Sequence, residues 1–353
     1  MSSTAAIHEI EAAVLQEWSE ALLVAAGSTP DHARIVASAL VDADIEGLAS
    51  HGTLLLPMYL DRVMAGSVDP SATGEVVRDK GTQLVIDARH GFGHVVADTA
   101  VALVTARAKE HGVAVAAVRN AFHFGVAGRF ARHIAQSDCV GIVSANTRPL
   151  MPAPGGAQAV VGNNPVAIAV PTTAEPLVAD FALSAGAMGK IRLAESRGET
   201  IPAGWAVTNA GLPTTDAAEA IAGMLLPAGG AKGFGLAAMV DLLAGGLSAG
   251  GMGDQVRPLY GDMSVPYGSA CLFMAIRIEG FRPSGEYKQA ATAFADKIRR
   301  SRRAPGVDAL RMPGDRSVRA REEFDGSLHI SGPTLAALAQ SSKRLHVDIP
   351  FLF

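Results

Sequence analysis

The sequence predicts a mixed fold of the α/β or α+β class, and three observations lead to this prediction. The first 66 residues carry apolar side chains at helical spacing and show no strand pattern. Between about residues 75 and 290, short β-branched runs alternate with helical segments, as in a sheet packed against helices. After residue 285 the pattern is helical again. A chain of 353 residues is long enough for two or three domains.

The amino-terminal part is predicted to be helical. In its first segment, apolar residues recur every three or four positions. Thr29 followed by Pro30 is a helix start, because threonine caps the first turn and proline fits its first position. The predicted helices cover residues 7–26, 30–44 and 54–64, the last ending before Gly66.

The central part is predicted to contain both strands and helices. Gly112 separates a helical segment from a β-branched run, as expected for a residue that ends a helix. The predicted strands are 83–87, 113–118, 140–144, 165–170, 177–181 and 272–278. The predicted helices are 97–110, 127–136, 188–197 and 234–247, followed near the carboxyl end by 288–301 and 334–344.

Composition and charge argue against several classes of function. Lysine and arginine total 30 against 34 acidic residues, and no dense basic stripe occurs, so nucleic acid is not an expected partner. No run of about 18 apolar residues is present, so no membrane association is expected. Cys139 and Cys271 form neither a disulfide framework nor a metal motif, and the first residues lack signal-peptide features. We therefore expect a cytoplasmic protein.

The usual nucleotide-binding fingerprints are missing. No Gly-x-Gly-x-x-Gly lies between a predicted strand and helix, and no Gly-x-x-x-x-Gly-Lys-Ser/Thr occurs. Yet glycine and proline together make up 57 of the 353 residues, and they cluster at particular segments. A dinucleotide, if one binds, is expected to bind without the Rossmann fold.

Two histidines occupy positions suited to acid–base chemistry, because imidazole titrates near neutral pH. His51 follows Ser50, whose hydroxyl could orient its ring. His123 follows a predicted strand, where α/β proteins often present functional groups. Structural explanations stay open for both: Ser50 could cap a helix, and His123 could be a hydrogen-bonded core residue.

Four glycine- or asparagine-containing segments could approach a ligand through the backbone: 154–156, 162–165, 180–190 and 227–235. The third runs from Asp180 to Lys190, and the fourth carries Lys232 among glycines. Ordinary turns use the same residues, so each segment alone leaves both explanations open. Residues 312–315 are predicted to form a plain turn.

His90 and His94 have the spacing of two metal ligands on a helix. Gly91 and Gly93 between them disfavour a helix, and no third ligand is apparent, so no metal site is expected. Ser184 lacks a Gly-x-Ser-x-Gly turn, so no serine hydrolase site is expected.

Taken in order, these segments resemble the malate/L-lactate dehydrogenase family, which is separate from the Rossmann lactate and malate dehydrogenases. The resemblance extends over nearly the whole chain. It rests on Ser50-His51-Gly52 with Tyr59, and on segments 120–128, 155–156, 162–165, 180–190, 201–206, 211–216, 226–235 and 313–314.

The resemblance implies an oxidoreductase that transfers a hydride between NAD or NADP and a small 2-oxo/2-hydroxy or 2-imino acid, in a homodimer. It implies a helical domain of residues 1–75 completed by 290–353. The inserted central domain, 76–289, would bind the dinucleotide on a non-Rossmann mixed sheet.

The resemblance also implies site residues. The implied acid–base residues are His51 and His123, with Ser50 beside His51. Tyr59 and the residue at position 55, Leu55, are implied to lie at the substrate. The implied cofactor contacts are Thr147, Val178, Asp180, Ser184, Ala185, Gly186, Lys190, Ala231, Lys232, Pro313, Gly314 and Asp315, and no metal is implied.

The chain departs from the family pattern at Leu55. Members usually carry arginine there, and that arginine binds the substrate carboxylate. Its loss should cost a carboxylate substrate roughly 2–5 kcal/mol of binding. Three explanations stay open: a substrate without that carboxylate, a replacement cation such as Arg148, or a catalytically silent NAD(P)-binding homologue. Lys190, where imine-reducing members are expected to carry an acid, favours carbonyl chemistry over cyclic-imine reduction.

Overall fold

A seven-stranded mixed sheet lies at the centre of the fold, in a computed structural model that describes residues 7–350. The strands are β1 Ile7–Glu11, β2 Glu75–Asp79, β3 Gln83–Asp87, β4 Val113–Ala121, β5 Cys139–Ala145, β6 Met151–Pro152, β7 Ala159–Val161, β8 Val166–Val170, β9 Leu177–Phe181, β10 Ala206–Val207, β11 Pro213–Thr214, β12 Met224–Leu225, β13 Ser269–Arg277 and β14 Ser327–Ser331. The helices are α1 Ala12–Ala25, α2 Pro30–Ile45, α3 Leu56–Met64, α4 Gly93–His111, α5 Ala127–Ala135, α6 Met188–Arg197, α7 Ala217–Ala222, α8 Ala231–Asp241, α9 Ser284–Arg299, α10 Asp315–Glu322 and α11 Gly332–Leu345. The predicted combination of helices with a mixed sheet is confirmed.

The sheet brings the carboxyl ends of four strands to one edge, including that of β3, which is parallel to β4. From one side to the other its order is β2, β3, β4, β13, β5, β8 and β9. Strand β13 is antiparallel to both β4 and β5, and β8 is antiparallel to both β5 and β9. Strands β3, β4, β5 and β9 therefore run in the same direction and end at the same edge.

Helices α4 and α5 cover one face of the sheet. Their alanine, valine and phenylalanine side chains form a buried core with the central strands. At Gly141 in β5, a Cβ atom would lie 2.5 Å from the Ala131 carbonyl oxygen and 2.8 Å from Ile134. Small residues at this contact let α5 lie close to the sheet, which positions the amino end of that helix beside β9.

The two ends of the chain share another apolar core. Helices α1, α2 and α3 contribute Leu22, Leu40 and Leu60, and α11 contributes Leu335 and Leu338. A hydrogen bond from Trp18 Nε1 to Ser342 Oγ (2.7 Å) also joins the two ends. The domain boundaries remain a prediction, and residues 1–6 and 351–353 of the predicted helical domain lie outside the described residues.

The helix predicted over 7–26 is wrong for its first five residues. Residues 7–11 form β1, which pairs antiparallel with β14 near the other end of the chain. Helix α1 starts only at Ala12. A local apolar period does not reveal a strand partner more than 300 residues away, so tertiary pairing decides the conformation here.

Other predicted boundaries differ for local reasons. Residues Thr53–Leu55 form a 3₁₀ turn, and α3 begins at Leu56 with a proline in its first turn. Residues 312–315, predicted as a plain turn, lead into α10, whose amino cap Gly314 has φ +91°. The segment Leu242–Gly246, predicted as α-helix, adopts a π-helical turn after α8. Among the described residues, no helix is both long and apolar enough to cross a bilayer.

A buried ionic contact joins α2, α5 and α10. Glu46 Oε1 accepts hydrogen bonds from Arg132 Nη1 and Arg321 Nη1, each at 2.6 Å. The Glu46 side chain is 8% exposed and that of Arg132 12%. Arg321 also pairs with Glu175 before β9, at 2.9 Å. Glu46 and Glu175 thus balance the charges of Arg132 and Arg321 where both ends of the chain meet the central sheet.

Replacing Glu46 by alanine should destabilise the protein by about 3 kcal/mol, because it leaves Arg132 without a counter-charge in a partly dehydrated contact, while Arg321 keeps Glu175. Chemical denaturation would measure the free energy of unfolding. The matched control is Asp31→Ala, which removes an exposed helical pair with Arg34 and should cost less than about 1 kcal/mol. Equal effects of the two variants would contradict the role assigned to Glu46.

Candidate active site

His51 and His123 lie face to face beside the carboxyl edge of the sheet. Their ring centroids are 5.8 Å apart and the ring planes differ by 26°. His51 ends the 3₁₀ turn Ala49–His51, and His123 comes two residues after β4. Both side chains are half-buried. The fold thus brings together the two histidines proposed for acid–base chemistry.

The turn that carries His51 is held by Asp44 of α2. The amide and hydroxyl of Thr53 donate to Asp44 Oδ2 at 2.8 and 2.7 Å. A Cβ atom at Gly52 would overlap the same carboxylate, so only glycine allows this approach. Burial raises the pKa of Asp44, against the opposing effect of the Thr53 bonds. Ser50 Oγ lies 2.9 Å from His51 Nδ1, as expected for an orienting hydroxyl.

Tyr59 holds His123 from the opposite side. The Tyr59 hydroxyl lies 2.7 Å from His123 Nδ1, and its ring packs edge-on against Phe122 at 4.9 Å. Burial, with smaller contributions from Tyr260 and Tyr267, raises the pKa of Tyr59 well above its usual value, so the phenol stays protonated. Tyr59 therefore donates to Nδ1, and the proton of the neutral His123 ring lies on Nε2.

Desolvation keeps both histidines neutral in this state. Burial lowers the pKa of His51. Burial lowers the pKa of His123 to about 3, with a further contribution from the charge of His51. Two stacked imidazoles disfavour a second positive charge, so one charge at a time is the expected limit.

Leu55 and Arg148 occupy different environments. Leu55 is 3% exposed and belongs to the apolar core that also contains Tyr59, so its side chain packs in the interior of the helical segment. Arg148 follows β5 and is exposed, and its guanidinium has no carboxylate partner among residues 7–350. Its charge acts on Tyr267, whose ring lies 6.1 Å from that of Phe122. Arg148 thus brings an uncommitted cation to the side of the site.

Thr147 lies at the same edge, held by two asparagines that precede β8. Its hydroxyl donates to Asn163 Oδ1 at 2.9 Å, and its amide donates to Asn164 Oδ1 at 2.9 Å. Asn164 is fully buried and donates to the Ala237 carbonyl oxygen at 2.9 Å. A Cβ atom at Gly162 would overlap Thr147, so glycine is required where these segments meet.

The amino ends of α6 and α8 are brought near each other by the segments that precede them. Ala185 N–H donates to the Leu226 carbonyl oxygen at 2.7 Å, and Ala228 N–H donates to the Leu183 carbonyl oxygen at 2.9 Å. Neither helix has a side-chain cap. Free amides and a helix dipole favour an anion at such ends.

Two exposed lysines add positive charge there, Lys190 in the first turn of α6 and Lys232 in that of α8. Ser184 is instead internal, since its hydroxyl donates to the Gly186 carbonyl oxygen at 2.9 Å. A Cβ atom at Gly186 would lie 2.5 Å from the Trp205 ring. The arrangement suits a diphosphate held by backbone amides and lysine side chains.

Asp180 caps α5. Its Oδ2 accepts the Gly128 N–H at 2.7 Å, and a Cβ atom at Gly128 would crowd the same oxygen. Surrounding protein raises the pKa of Asp180 to about 6, opposed by the Gly128 bond and assisted by Glu46. Because the side chain keeps open contact with solvent, we expect the carboxylate to be largely ionised at neutral pH.

The turn at 313–315 lies against β9. A Cβ atom at Gly314 would be 3.1 Å from the backbone nitrogen and oxygen of Val178, so these two predicted cofactor residues are neighbours. Asp315 is engaged by Arg299, with contacts of 3.0 and 2.6 Å, and accepts the Met312 N–H at 2.7 Å. Its own N–H donates to the Met312 carbonyl oxygen at 3.1 Å, so both its carboxylate and its amide are engaged within the chain.

Sequence reasoning missed two residues that the fold places at the site. The only sign of Asp44 in the sequence is that a carboxylate interrupts an otherwise apolar helix face. His94 was considered only as a metal ligand, yet it is 1% exposed and its ring lies 5.9 Å from that of Tyr59. The described residues contain no group of three side chains that could hold a metal ion.

Residues 10–336 match the family described as malate/L-lactate dehydrogenase. The chain belongs to this family. Three curated relatives illustrate the range of the match. Malate dehydrogenase of Pyrococcus abyssi is 34% identical over 310 residues, covering 85% of this chain and 84% of the relative. (2R)-3-sulfolactate dehydrogenase (NADP(+)) of Chromohalobacter salexigens is 36% identical over 313 residues, covering 88% and 91%. Ureidoglycolate dehydrogenase (NAD(+)) of Escherichia coli O157:H7 is 30% identical over 316 residues, covering 89% and 90%.

Solved structures share the fold along their whole length. Malate dehydrogenase from Entamoeba histolytica has a TM-score of 0.92 at 27% identity, covering 98% of this chain and 100% of its own. Sulfolactate dehydrogenase from Methanocaldococcus jannaschii has a TM-score of 0.92 at 32% identity, covering 97% of this chain and 98% of its own. Delta1-piperideine-2-carboxylate reductase from Pseudomonas syringae pvar. tomato has a TM-score of 0.85 at 28% identity, covering 95% of this chain and 99% of its own. As a member of this family, the chain is an oxidoreductase.

Replacing Gly52 by alanine should displace the turn that carries His51, because the new methyl group overlaps the Asp44 carboxylate. Overpacking of this kind costs about 1–3 kcal/mol. Thermal unfolding would measure the loss. Gly285→Ala in α9 is the control, since nothing lies within 4 Å of its added Cβ. A Gly52→Ala protein as stable as the control would contradict the proposed contact.

Proposed function

We propose that the protein is an NAD(P)-dependent dehydrogenase that interconverts a 2-hydroxy acid and the corresponding 2-oxo acid. The observation that carries this proposal is the stacked pair His51 and His123, held by Asp44 and Tyr59 at the carboxyl edge of the sheet. Acid–base residues of this kind need a hydride partner, and we propose that it binds along the same edge of the sheet.

NAD or NADP fits the surrounding residues. The uncapped amino ends of α6 and α8, with Lys190 and Lys232, would hold the diphosphate. The Thr147 hydroxyl and the backbone of Val178 and Gly314 would make further contacts. When bound, the cofactor supplies or accepts the hydride. A Cβ atom at Gly162 would overlap Thr147, so the chain accepts no larger residue than glycine at this part of the edge.

The two histidines have complementary roles in the proposal. His123 presents its Nε2–H to the cleft, because Tyr59 occupies Nδ1, and this N–H donates to the substrate oxygen. Burial alone lowers the pKa of His51, whereas the charge of His51 further lowers that of His123, so without substrate His51 protonates more readily than His123. His51 then transfers the proton to or from that oxygen. Ser50 links the His51 ring to solvent.

The substrate is proposed to be anionic. Relatives are named for malate, sulfolactate and ureidoglycolate, each of which carries a carboxylate next to the reacting carbon. Leu55 supplies no charge and faces the core. Arg148 is unpaired among the described residues and is the cation that we propose binds the carboxylate.

A homodimer is also proposed. Helix α8 and the π-helical turn after it carry a row of apolar side chains that are 45% to 58% exposed: Leu236, Met239, Leu242, Leu243 and Leu247. An apolar row of this length is typical of a protein interface. The cytoplasmic location expected from the cysteine content stays a prediction.

Replacing either His51 or His123 by alanine should reduce the turnover rate by a factor of about 10²–10⁴. Loss of reduced-cofactor absorbance would be followed with a panel of 2-oxo acids, carboxylate-free ketones and a cyclic-imine carboxylate. For wild type, reduction should slow as the pH rises, because His51 must carry the donated proton and burial lowers its pKa. Failure of both NADH and NADPH to bind, read by cofactor fluorescence, would overturn the proposed function in favour of a silent homologue.

Removing Arg148 should weaken the binding of 2-oxo acids while leaving NADH binding intact. For Arg148→Ala we expect KM to rise about 30-fold or more, the equivalent of at least 2 kcal/mol lost from a charge-assisted pair. Arg148→Lys should recover part of the loss. The control Arg34→Ala removes an exposed arginine of α2 and should leave KM unchanged. An unchanged KM in Arg148→Ala would assign the carboxylate to another group.

Placing a charge in the apolar row of α8 should dissociate the dimer. For Leu243→Glu we expect a monomer in sedimentation velocity, where wild type sediments as a dimer. Leu212→Glu is the control, because Leu212 is 63% exposed in a turn outside the row. A wild-type monomer would refute the proposed assembly.

A further inference from the structure

His94 is a buried polar residue that the proposed mechanism does not use. It is the second residue of α4 and is 1% exposed. Its Nδ1 has no hydrogen-bond partner among the described residues, a condition shared there by only one other buried side-chain atom. Native proteins rarely leave such groups unpaired. The unpaired nitrogen of His94 therefore requires an explanation from the residues around it.

His94 packs against the residues that hold His123. The Tyr59 ring lies 5.9 Å from the His94 ring and 6.1 Å from the His123 ring, so it is flanked by two imidazoles. Gly125 has φ +76°, and a Cβ atom there would lie 2.8 Å from His94 Nε2. The loop that carries His123 thus passes directly over His94.

His94 is neutral in these surroundings. Burial lowers its pKa well below 6.5, and the positive charges of His123, Arg129 and His51 act in the same direction. The other ionisable groups around the cluster are Tyr59 and, one turn along α4, Asp98, whose own pKa burial raises. A neutral imidazole has one N–H and one bare nitrogen, and an unpaired acceptor is less costly than an unpaired donor. The bare nitrogen is therefore Nδ1.

The Tyr59 hydroxyl needs a second acceptor whenever His123 takes up a proton. In the neutral state Tyr59 donates to His123 Nδ1. A second proton, taken from solvent, would enter at this Nδ1, because Nε2 already carries one. Nδ1–H would then donate to the Tyr59 oxygen, and the hydroxyl proton would lose its acceptor. His94 Nδ1 is an unused acceptor beside the same ring.

We propose that His94 is a positioning residue whose Nδ1 accepts the Tyr59 hydroxyl when His123 is doubly protonated. The contact forms through a small side-chain movement or one bridging water. With an anionic substrate beside the pair, the one extra proton that the stacked histidines accept can lie on His123 as well as on His51, and the His94 acceptor makes the His123 position less costly. The inference rests on the proposed function, since the substrate anion stabilises that charge.

The test compares His94→Leu with His94→Gln. Leucine fills the space but cannot accept a hydrogen bond, whereas the side-chain oxygen of glutamine can accept one from Tyr59. With NADH and oxamate bound, ¹⁵N-histidine resonances would be followed as a function of pH. In His94→Leu the titration midpoint of His123 should fall by about one pH unit, because a shift of that size corresponds to the loss of one buried hydrogen bond. In His94→Gln it should stay within a few tenths of the wild-type value.

A double-mutant cycle separates this role from simple packing. His94→Leu should lower kcat about tenfold when Tyr59 is present and less than twofold in a Tyr59→Phe background, because the hydroxyl is then already absent. Equal losses in both backgrounds, or superimposed titration curves, would overturn the role of His94 and leave the proposed function standing. Absence of NADH binding would overturn both. Thermal unfolding of each variant would establish that the comparison is made on folded protein.

Discussion

The position of β13 is the constraint on which the site depends. This strand, Ser269–Arg277, lies between β4 and β5 and hydrogen-bonds to both in antiparallel register. Because it enters from late in the chain and runs opposite to its neighbours, β4 and β5 end at the same edge of the sheet. His123 and Thr147 each follow one of these strands. Without the inserted strand they would have no reason to share an edge.

Desolvation dominates the electrostatics of the site. His51, Tyr59, His94 and His123 form one cluster in which burial is the largest cause of each pKa shift, and charge–charge effects are secondary. Burial disfavours every charged form, so the resting cluster is a set of neutral donors and acceptors. An anionic substrate is the natural means of changing that state, because its charge offsets the burial of a cation.

Membership of the family accounts for an oxidoreductase, and we expect one position to distinguish this chain within it. An arginine is expected at position 55, where this chain has a buried leucine. Leu55 adds an apolar side chain to the helical core, and we propose that Arg148, in the loop after β5, supplies the charge expected at position 55. Recognition of the substrate would then depend on the sheet edge more than on the helical segment, while the histidine pair still joins the two.

The sequence by itself determined the class of fold and most element positions, and it singled out the two candidate histidines, because helical periodicity, glycine turns and residue types are local properties. It did not determine β1, whose partner lies at the other end of the chain, nor the roles of Asp44 and His94, whose partners come from other segments. Tertiary structure alone decided that Leu55 faces the core and that Tyr59 donates to His123. Such contacts join residues far apart in sequence, and only the packing of the sheet against the helices brings them within hydrogen-bonding distance.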